Sequence, residues 1–163
     1  MAGWSLRFLG VNLFLSQESG DQRLTILDTN ILSELMGPSP SPNVKAWIAE
    51  HRFTGDLHVT SINVAEILYG IELLPRGKRR DGLLAEAEAM FAEDFAGRIL
   101  AFDEIAARAF AQIASTRRAR GRPITEFDAQ IAAIARASGA VLATRNTSDF
   151  AECGLQLVNP WMD

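Results

Sequence analysis

The chain holds a single cysteine, Cys153, and only two histidines among 163 residues. One cysteine cannot close an internal disulfide, and no Cys/His spacing resembles a zinc site, which fits a reducing cytoplasm. Positive charge is also short. A net charge of −4 argues against coating nucleic acid through a globally basic surface and leaves only local basic patches. No glycine-rich phosphate loop of either common type is present, which removes nucleotide binding through a P-loop or a dinucleotide fingerprint. Internal repeats and low-complexity segments are missing as well. The mostly apolar stretch Phe8–Leu15 is far too short to span a bilayer, so no membrane association is expected. With Arg7 as the only early positive charge and Ser16-Gln17-Glu18-Ser19 in place of a small-residue cleavage site, it also makes a poor signal peptide.

What remains is an ordinary domain's worth of material. A hydrophobic content of 48% with 22% charged residues supports one cored domain rather than a disordered chain. We place that domain at 24–163, with Met1–Arg23 as an N-terminal extension, either ordered as an extra strand or loose. The run Leu24–Leu27 ends abruptly at Asp28, and a helix Asn30–Met36 follows, stopped by Gly37-Pro38. After the linker Ser39–Pro42, Asn43 caps a helix carrying Val44, Trp47 and Ile48. Leu57–Thr60 alternates as a strand, and Ser61 caps a helix running to about Leu74. A helix opened by Arg76–Arg80 leads to a strand at Arg98–Phe102, and Asp103 caps the helix Glu104–Ala119. Thr125–Ser138 is a further helix, closed by Gly139, before strands at Ala140–Ala143 and Leu155–Val158. Strands alternating with helices predict an α/β fold, a parallel sheet covered on both faces.

Four acids and one amide stand out. Asp28 sits where a strand meets a helix, the edge at which open parallel sheets gather their chemistry, although it would equally serve as a helix cap. Glu66 lies along a largely apolar helical stripe of Ile62, Asn63, Tyr69 and Gly70, and a carboxylate buried there needs a cation, a metal or a proton. Asp128 repeats the pattern between Ile124, Thr125, Ile131 and Ala132, with a capping box Thr125–Asp128 as the plainer explanation. Asp149 closes a second run of capping-box form that begins at Asn146, at the same sheet edge as Asp28. Carboxylates sharing one crevice repel unless a divalent cation neutralises them, and oxygen-only ligands suit Mg2+ or Mn2+. Such an ion serves phosphodiester hydrolysis. Two basic groups, Arg76/Lys78/Arg79/Arg80 and Arg117/Arg118/Arg120/Arg122, could hold a polyanion or could simply be solvated surface. His51 and His58 have no Ser or Cys nucleophile to serve.

These residues resemble those of PIN-domain ribonucleases, specifically the VapC-type toxins of toxin–antitoxin pairs. The resemblance runs from Leu24 to about Trp161. It rests on Leu27-Asp28-Thr29-Asn30, on Ser61-Ile62-Asn63-Val64-Ala65-Glu66 with Gly70, on Asp128-Ala129-Gln130-Ile131-Ala132-Ala133, on Ala143-Thr144-Arg145-Asn146 with Asp149-Phe150, and on Asn159-Pro160-Trp161. It implies a PIN-like three-layer α/β/α fold with a central parallel sheet of four to five strands. It also implies an Mg2+- or Mn2+-dependent endoribonuclease with Asp28, Glu66 and Asp128 as core acids. Many relatives carry an Asp where this chain has Asn146, so the fourth position falls to Asn146 or to Asp149. Thr29, Asn30, Thr144 and Arg145, which flank the acids, join Arg117, Arg118 and Arg122 as candidate substrate-binding residues. The implied partners are RNA, a small DNA-binding antitoxin whose C-terminal segment crosses the site, and a second copy in a homodimer. With the antitoxin, operator DNA is implied too.

The expected reaction is metal-dependent cleavage of single-stranded RNA in the cytoplasm, leaving 3′-hydroxyl and 5′-phosphate ends. A haloacid-dehalogenase-like phosphatase also opens on a strand-terminal Asp but wants a second Asp where Asn30 stands. A receiver domain needs a late-strand Lys where this chain has Thr144-Arg145. A non-catalytic RNA- or antitoxin-binding module on the same fold is the remaining alternative.

Overall fold

The computed structural model describes residues 23–52 and 56–162. Apart from Arg23, the expected extension therefore lies outside the described residues. Five strands, β1 (Thr25–Leu27), β2 (Leu57–Thr60), β3 (Ile99–Leu100), β4 (Val141–Ala143) and β5 (Gln156–Val158), pair in the order β3-β2-β1-β4-β5. Every pairing is parallel. The strands are short because each is flanked by residues that start a helix or a turn, and their apolar content leaves both faces to be covered.

Period-two alternation divides those faces. Ile26 and Leu142 point to one side with Ile113 and Ile131, while Leu27, Val59 and Ala143 point to the other with Ile31, Val44, Ile48 and Ile67. The second side is covered by α1 (Thr29–Leu35), α2 (Pro42–His51), α3 (Ser61–Glu72) and α4 (Lys78–Ala89), the first by α5 (Glu104–Ala119) and α6 (Glu126–Ala137). The result is the three-layer α/β/α sandwich. Each fully buried Leu or Ile in these layers contributes about 1.5–3 kcal/mol relative to an exposed one.

Several local expectations change in detail. The cap of α3 is Thr60 and not Ser61, because Thr60 keeps extended backbone and accepts from the Asn63 N–H at 3.1 Å. Ser61 instead accepts from the Phe102 N–H at 3.3 Å. At α2 the helix starts at Pro42, whose fixed φ suits the first position, and Asn43 donates its amide to the Trp161 carbonyl. Beyond α4 the chain widens into a π turn, Met90–Asp94, which seats Met90, Phe91 and Phe95 in the core. The third strand is two residues long rather than five. Gly139 closes α6 in the left-handed region at φ 64°, as a C′ glycine should. Gly37 does not take that conformation; its role is close approach, since a Cβ there would meet the Glu34 carbonyl oxygen at 3.1 Å.

Candidate active site

The strand order reverses between β1 and β4, and ligands of open parallel sheets settle at that switch point, beyond the carboxyl ends of the strands. Asp28 stands there, held because its N–H continues the ladder to the Ala143 carbonyl at 2.9 Å. Its Oδ1 accepts from the Thr29 N–H at 2.7 Å, so it does cap α1. Its Oδ2 accepts from the Asn30 amide and the Thr144 hydroxyl, each at 2.7 Å. Three donors aimed at one carboxyl favour its ionised form, yet Asp28 is only 5% exposed. Burial outweighs them and, with repulsion from Asp128 and Glu66, lifts its pKa from 3.8 to about 6.

Glu66 is half-buried on α3, and its Oε2 accepts from the Thr29 hydroxyl at 2.6 Å. Burial raises its pKa above the usual carboxylate range, against the lowering effect of Thr29 and with Asp128 adding repulsion. Asp128 stands in the first turn of α6. Its N–H caps onto Thr125 at 3.2 Å, and its Oδ2 takes the Thr125 hydroxyl at 2.7 Å, so the capping explanation is also true. Capping does not compete with chemistry here, because the same geometry that starts the helix points the carboxyl at its neighbours.

One cavity of about 590 Å3 is walled by Asp28, Glu66, Asp128, Asn146, Thr29 and Asn30 together with Ser33, Glu34, Gly37, Pro38 and Ser39. The three acids expected to converge thus face one space. The fourth corner is Asn146. Asp149 is exposed and outside the cavity wall, because Asn146–Asp149 forms a turn, closed by the Asp149 N–H on the Asn146 carbonyl at 3.0 Å, rather than a capped helix. Thr29, Asn30 and Thr144, expected to touch substrate, give their polar atoms first to Asp28 and Glu66. Arg145 is exposed at the rim, its guanidinium 5.4 Å from the centre of the Trp161 ring.

The second basic group breaks up. Arg117 is buried and donates to the Ala151 carbonyl at 2.6 Å, binding α5 to the turn after β4. Arg120 pairs with Glu152 at 2.7 Å, and Arg122 lies 3.9 Å from the same carboxylate. Arg118 is exposed. In the first group Arg80 pairs with Glu72, while Arg76, Lys78 and Arg79 are exposed. Arg117→Ala is therefore expected to cost stability, by about 1–3 kcal/mol for removing a buried charged hydrogen bond, and to leave the salt dependence of RNA binding unchanged. Thermal unfolding and binding isotherms at two salt concentrations check this. A variant as stable as the parent but weaker on RNA would return Arg117 to the substrate.

Asn63 is the residue that reading the sequence for acids passes over. It is fully buried, donates to Thr29 at 2.9 Å and accepts from the Thr60 N–H at 2.7 Å. Its signal was a Thr three residues ahead of an amide at a strand-to-helix junction, the capping-box spacing.

The donor chemistry suits a hard divalent ion: carboxylate and amide oxygens, mutually repelling acids, no sulfur. Among the described residues no three His, Cys, Asp or Glu side chains are drawn together into a ready-made cage. Mg2+ does not demand one, since it keeps several waters and is commonly held by one or two carboxylates.

Comparison with known proteins agrees with this geometry. The PIN domain pattern matches residues 25–154. The chain is 38% identical over 138 residues to VapC ribonuclease Y4jK of Sinorhizobium fredii, covering 85% of this chain and 98% of that protein. It is 38% identical over 140 residues to toxin FitB of Neisseria gonorrhoeae, covering 86% and 100%. A solved structure of FitAB bound to an IR36 DNA fragment superposes with a TM-score of 0.77 at 38% identity, covering 85% of this chain and 96% of that one. The chain belongs to the PIN-domain family and stands among its VapC-type toxins.

Proposed function

We propose that this protein is a divalent-metal-dependent endoribonuclease and the toxin of a toxin–antitoxin pair. The observation that carries the reading is the convergence of Asp28, Glu66 and Asp128 on one cavity at the switch point of the sheet. Asp28 and Asp128 would hold the ion, with Glu66 and the Asn146 amide oxygen completing its surroundings directly or through water. Asp149, exposed and not among the residues that wall the cavity, is left out of this set. When bound, such an ion activates water and neutralises charge gathering on the phosphate.

The chain's own residues do the rest. Asn30 and Thr144 hold the Asp28 carboxyl in place from two sides. Thr29 donates to Oε2 of Glu66, a residue of the cavity wall, and leaves Oε1 as the oxygen that could take a proton from water. Arg145 and Arg118 would meet RNA phosphates. An antitoxin and DNA bound with it, as in the solved FitAB and VapBC complexes, are the partners we propose, together with a second copy in a homodimer, in the cytoplasm. No helix among the described residues is long and apolar enough to cross a membrane. The phosphatase reading loses ground because the position two after Asp28 holds Asn30, which donates its amide into that carboxyl.

The test uses purified, antitoxin-free protein and end-labelled single-stranded RNA. Cleavage with Mn2+, giving 5′-phosphate and 3′-hydroxyl ends, and none with EDTA is the expected result. Equal cleavage in EDTA would sink the metal-dependent mechanism, and no cleavage under any condition would favour the binding module.

A further inference from the structure

We propose that Asn63 is a positioning residue for the nuclease site, fixing the hydroxyl hydrogen of Thr29 so that it can only donate to Glu66. The inference rests on the nuclease reading but concerns a residue that touches neither RNA nor ion.

The argument is one of donors and acceptors. The Thr60 N–H can only donate, and it lies 2.7 Å from one end of the Asn63 side chain, so that end must be Oδ1. The Thr60 hydroxyl donates to the same oxygen, also at 2.7 Å. The other end is therefore Nδ2, which carries only hydrogens, and it meets the Thr29 oxygen at 2.9 Å. Because Thr29 accepts there, its single hydrogen is directed at the Glu66 Oε2, 2.6 Å away. Glu66 on α3 and Thr29 on α1 are thus tied through an amide that is fully buried and whose orientation is set at the end of β2. A carboxylate fixed this way does not have to find its rotamer anew for each substrate.

Asn63→Asp separates this role from mere packing. The replacement has the same shape and still accepts from the Thr60 N–H. Its second oxygen, however, is an acceptor at pH 8 and draws the Thr29 hydrogen away from Glu66. Supporting groups of this kind typically contribute roughly 10–100-fold in activity or metal affinity. Asn63→Asp and Thr29→Val are each expected to lower Mn2+-supported cleavage by that factor, while Thr29→Ser retains most of it. The double variant should be no worse than Thr29→Val alone, because both changes break one chain. Mn2+ affinity measured by calorimetry, without substrate, should follow the same non-additive pattern. If Asn63→Asp does not fold, Asn63→Ala enters the same cycle. Losses that multiply, or an Asn63→Asp protein that matches the parent while Asp28→Asn is dead, would overturn the positioning role. A parent protein that cuts no RNA with Mn2+ would instead overturn the nuclease reading.

Discussion

Asp28→Asn protein is expected to lose RNA cleavage by about a thousandfold or more while unfolding almost as the parent does. The loss follows from position. Asp28 is the carboxylate at the switch point, and metal-assisted charge stabilisation contributes several kcal/mol to such reactions, with each 1.36 kcal/mol worth a factor of ten. The small change in stability follows from two opposing effects. The ionised carboxyl is 5% exposed, and a pKa of about 6 against 3.8 means that holding it charged near pH 7.5 costs about 3 kcal/mol. Replacing it with an amide removes that cost but leaves Asn30 facing a donor where it had an acceptor, at about 1–3 kcal/mol. The two nearly cancel. Cleavage rates and melting curves on the same preparation check the result; wild-type cleavage by the variant would remove Asp28 from the chemistry.

The metal-free protein should be more stable at pH 5 than at pH 7.5. The folded-state pKa of Asp28 is raised, so the folded chain binds more protons than the unfolded one between about pH 4 and 6. Its contribution is fully present below the unfolded value and disappears as pH rises through about 6, by at most about 3 kcal/mol. Glu66, raised by burial too, acts in the same direction. Glu152 has its pKa lowered by the hydrogen bond and charge of Arg120, which opposes the trend, but it lies in solvent where such effects are heavily screened. Between pH 5 and 7.5 about 1.4 kcal/mol of the Asp28 contribution is lost, which for a chain of this size corresponds to roughly 3–6 °C in melting temperature. On the proposed reading Mn2+ would bind the ionised carboxyls, so the stabilisation it confers should grow with pH and erase the trend. A melting temperature that rises steadily from pH 5 to 7.5 without metal would mean that burial does not govern Asp28.

The legible features were those decided by neighbours in sequence. Asp103 caps α5, which runs Glu104–Ala119, and β2 spans Leu57–Thr60, because a cap and a period-two run state themselves within a few residues. The convergence of Asp28, Glu66 and Asp128 was legible for a related reason: Asp28 sits at the carboxyl end of a strand, Glu66 and Asp128 lie in the early turns of helices, and a parallel sheet brings strand ends and the helix starts that follow them to one edge. Illegible were the features set by distant contacts. Arg117 sits in a run of arginines at a helix end, where solvation is the default, and only Ala151, 34 residues on, turns it inward. Thr60 and Ser61 are adjacent hydroxyls, and the one that leaves the strand in extended conformation becomes the cap. Asn146 and Asp149 stand at the two ends of one turn, and of the two only Asn146 is among the residues that wall the cavity. Asn63 reads as an ordinary helix residue until Thr29, 34 residues upstream, is seen against it.

The hydrogen bond between Thr144 and Asp28 spans 116 residues of chain, and it joins the first strand of the sheet to the fourth. During synthesis, β1, α1 and α3 emerge early, carrying Asp28 and Glu66, while Asp128, Thr144 and Asn146 are still inside or behind the ribosome. Parallel pairing over that separation is slow and comes after the local helices. A nascent chain therefore has two of its acids but neither the third nor the strand that seats the first.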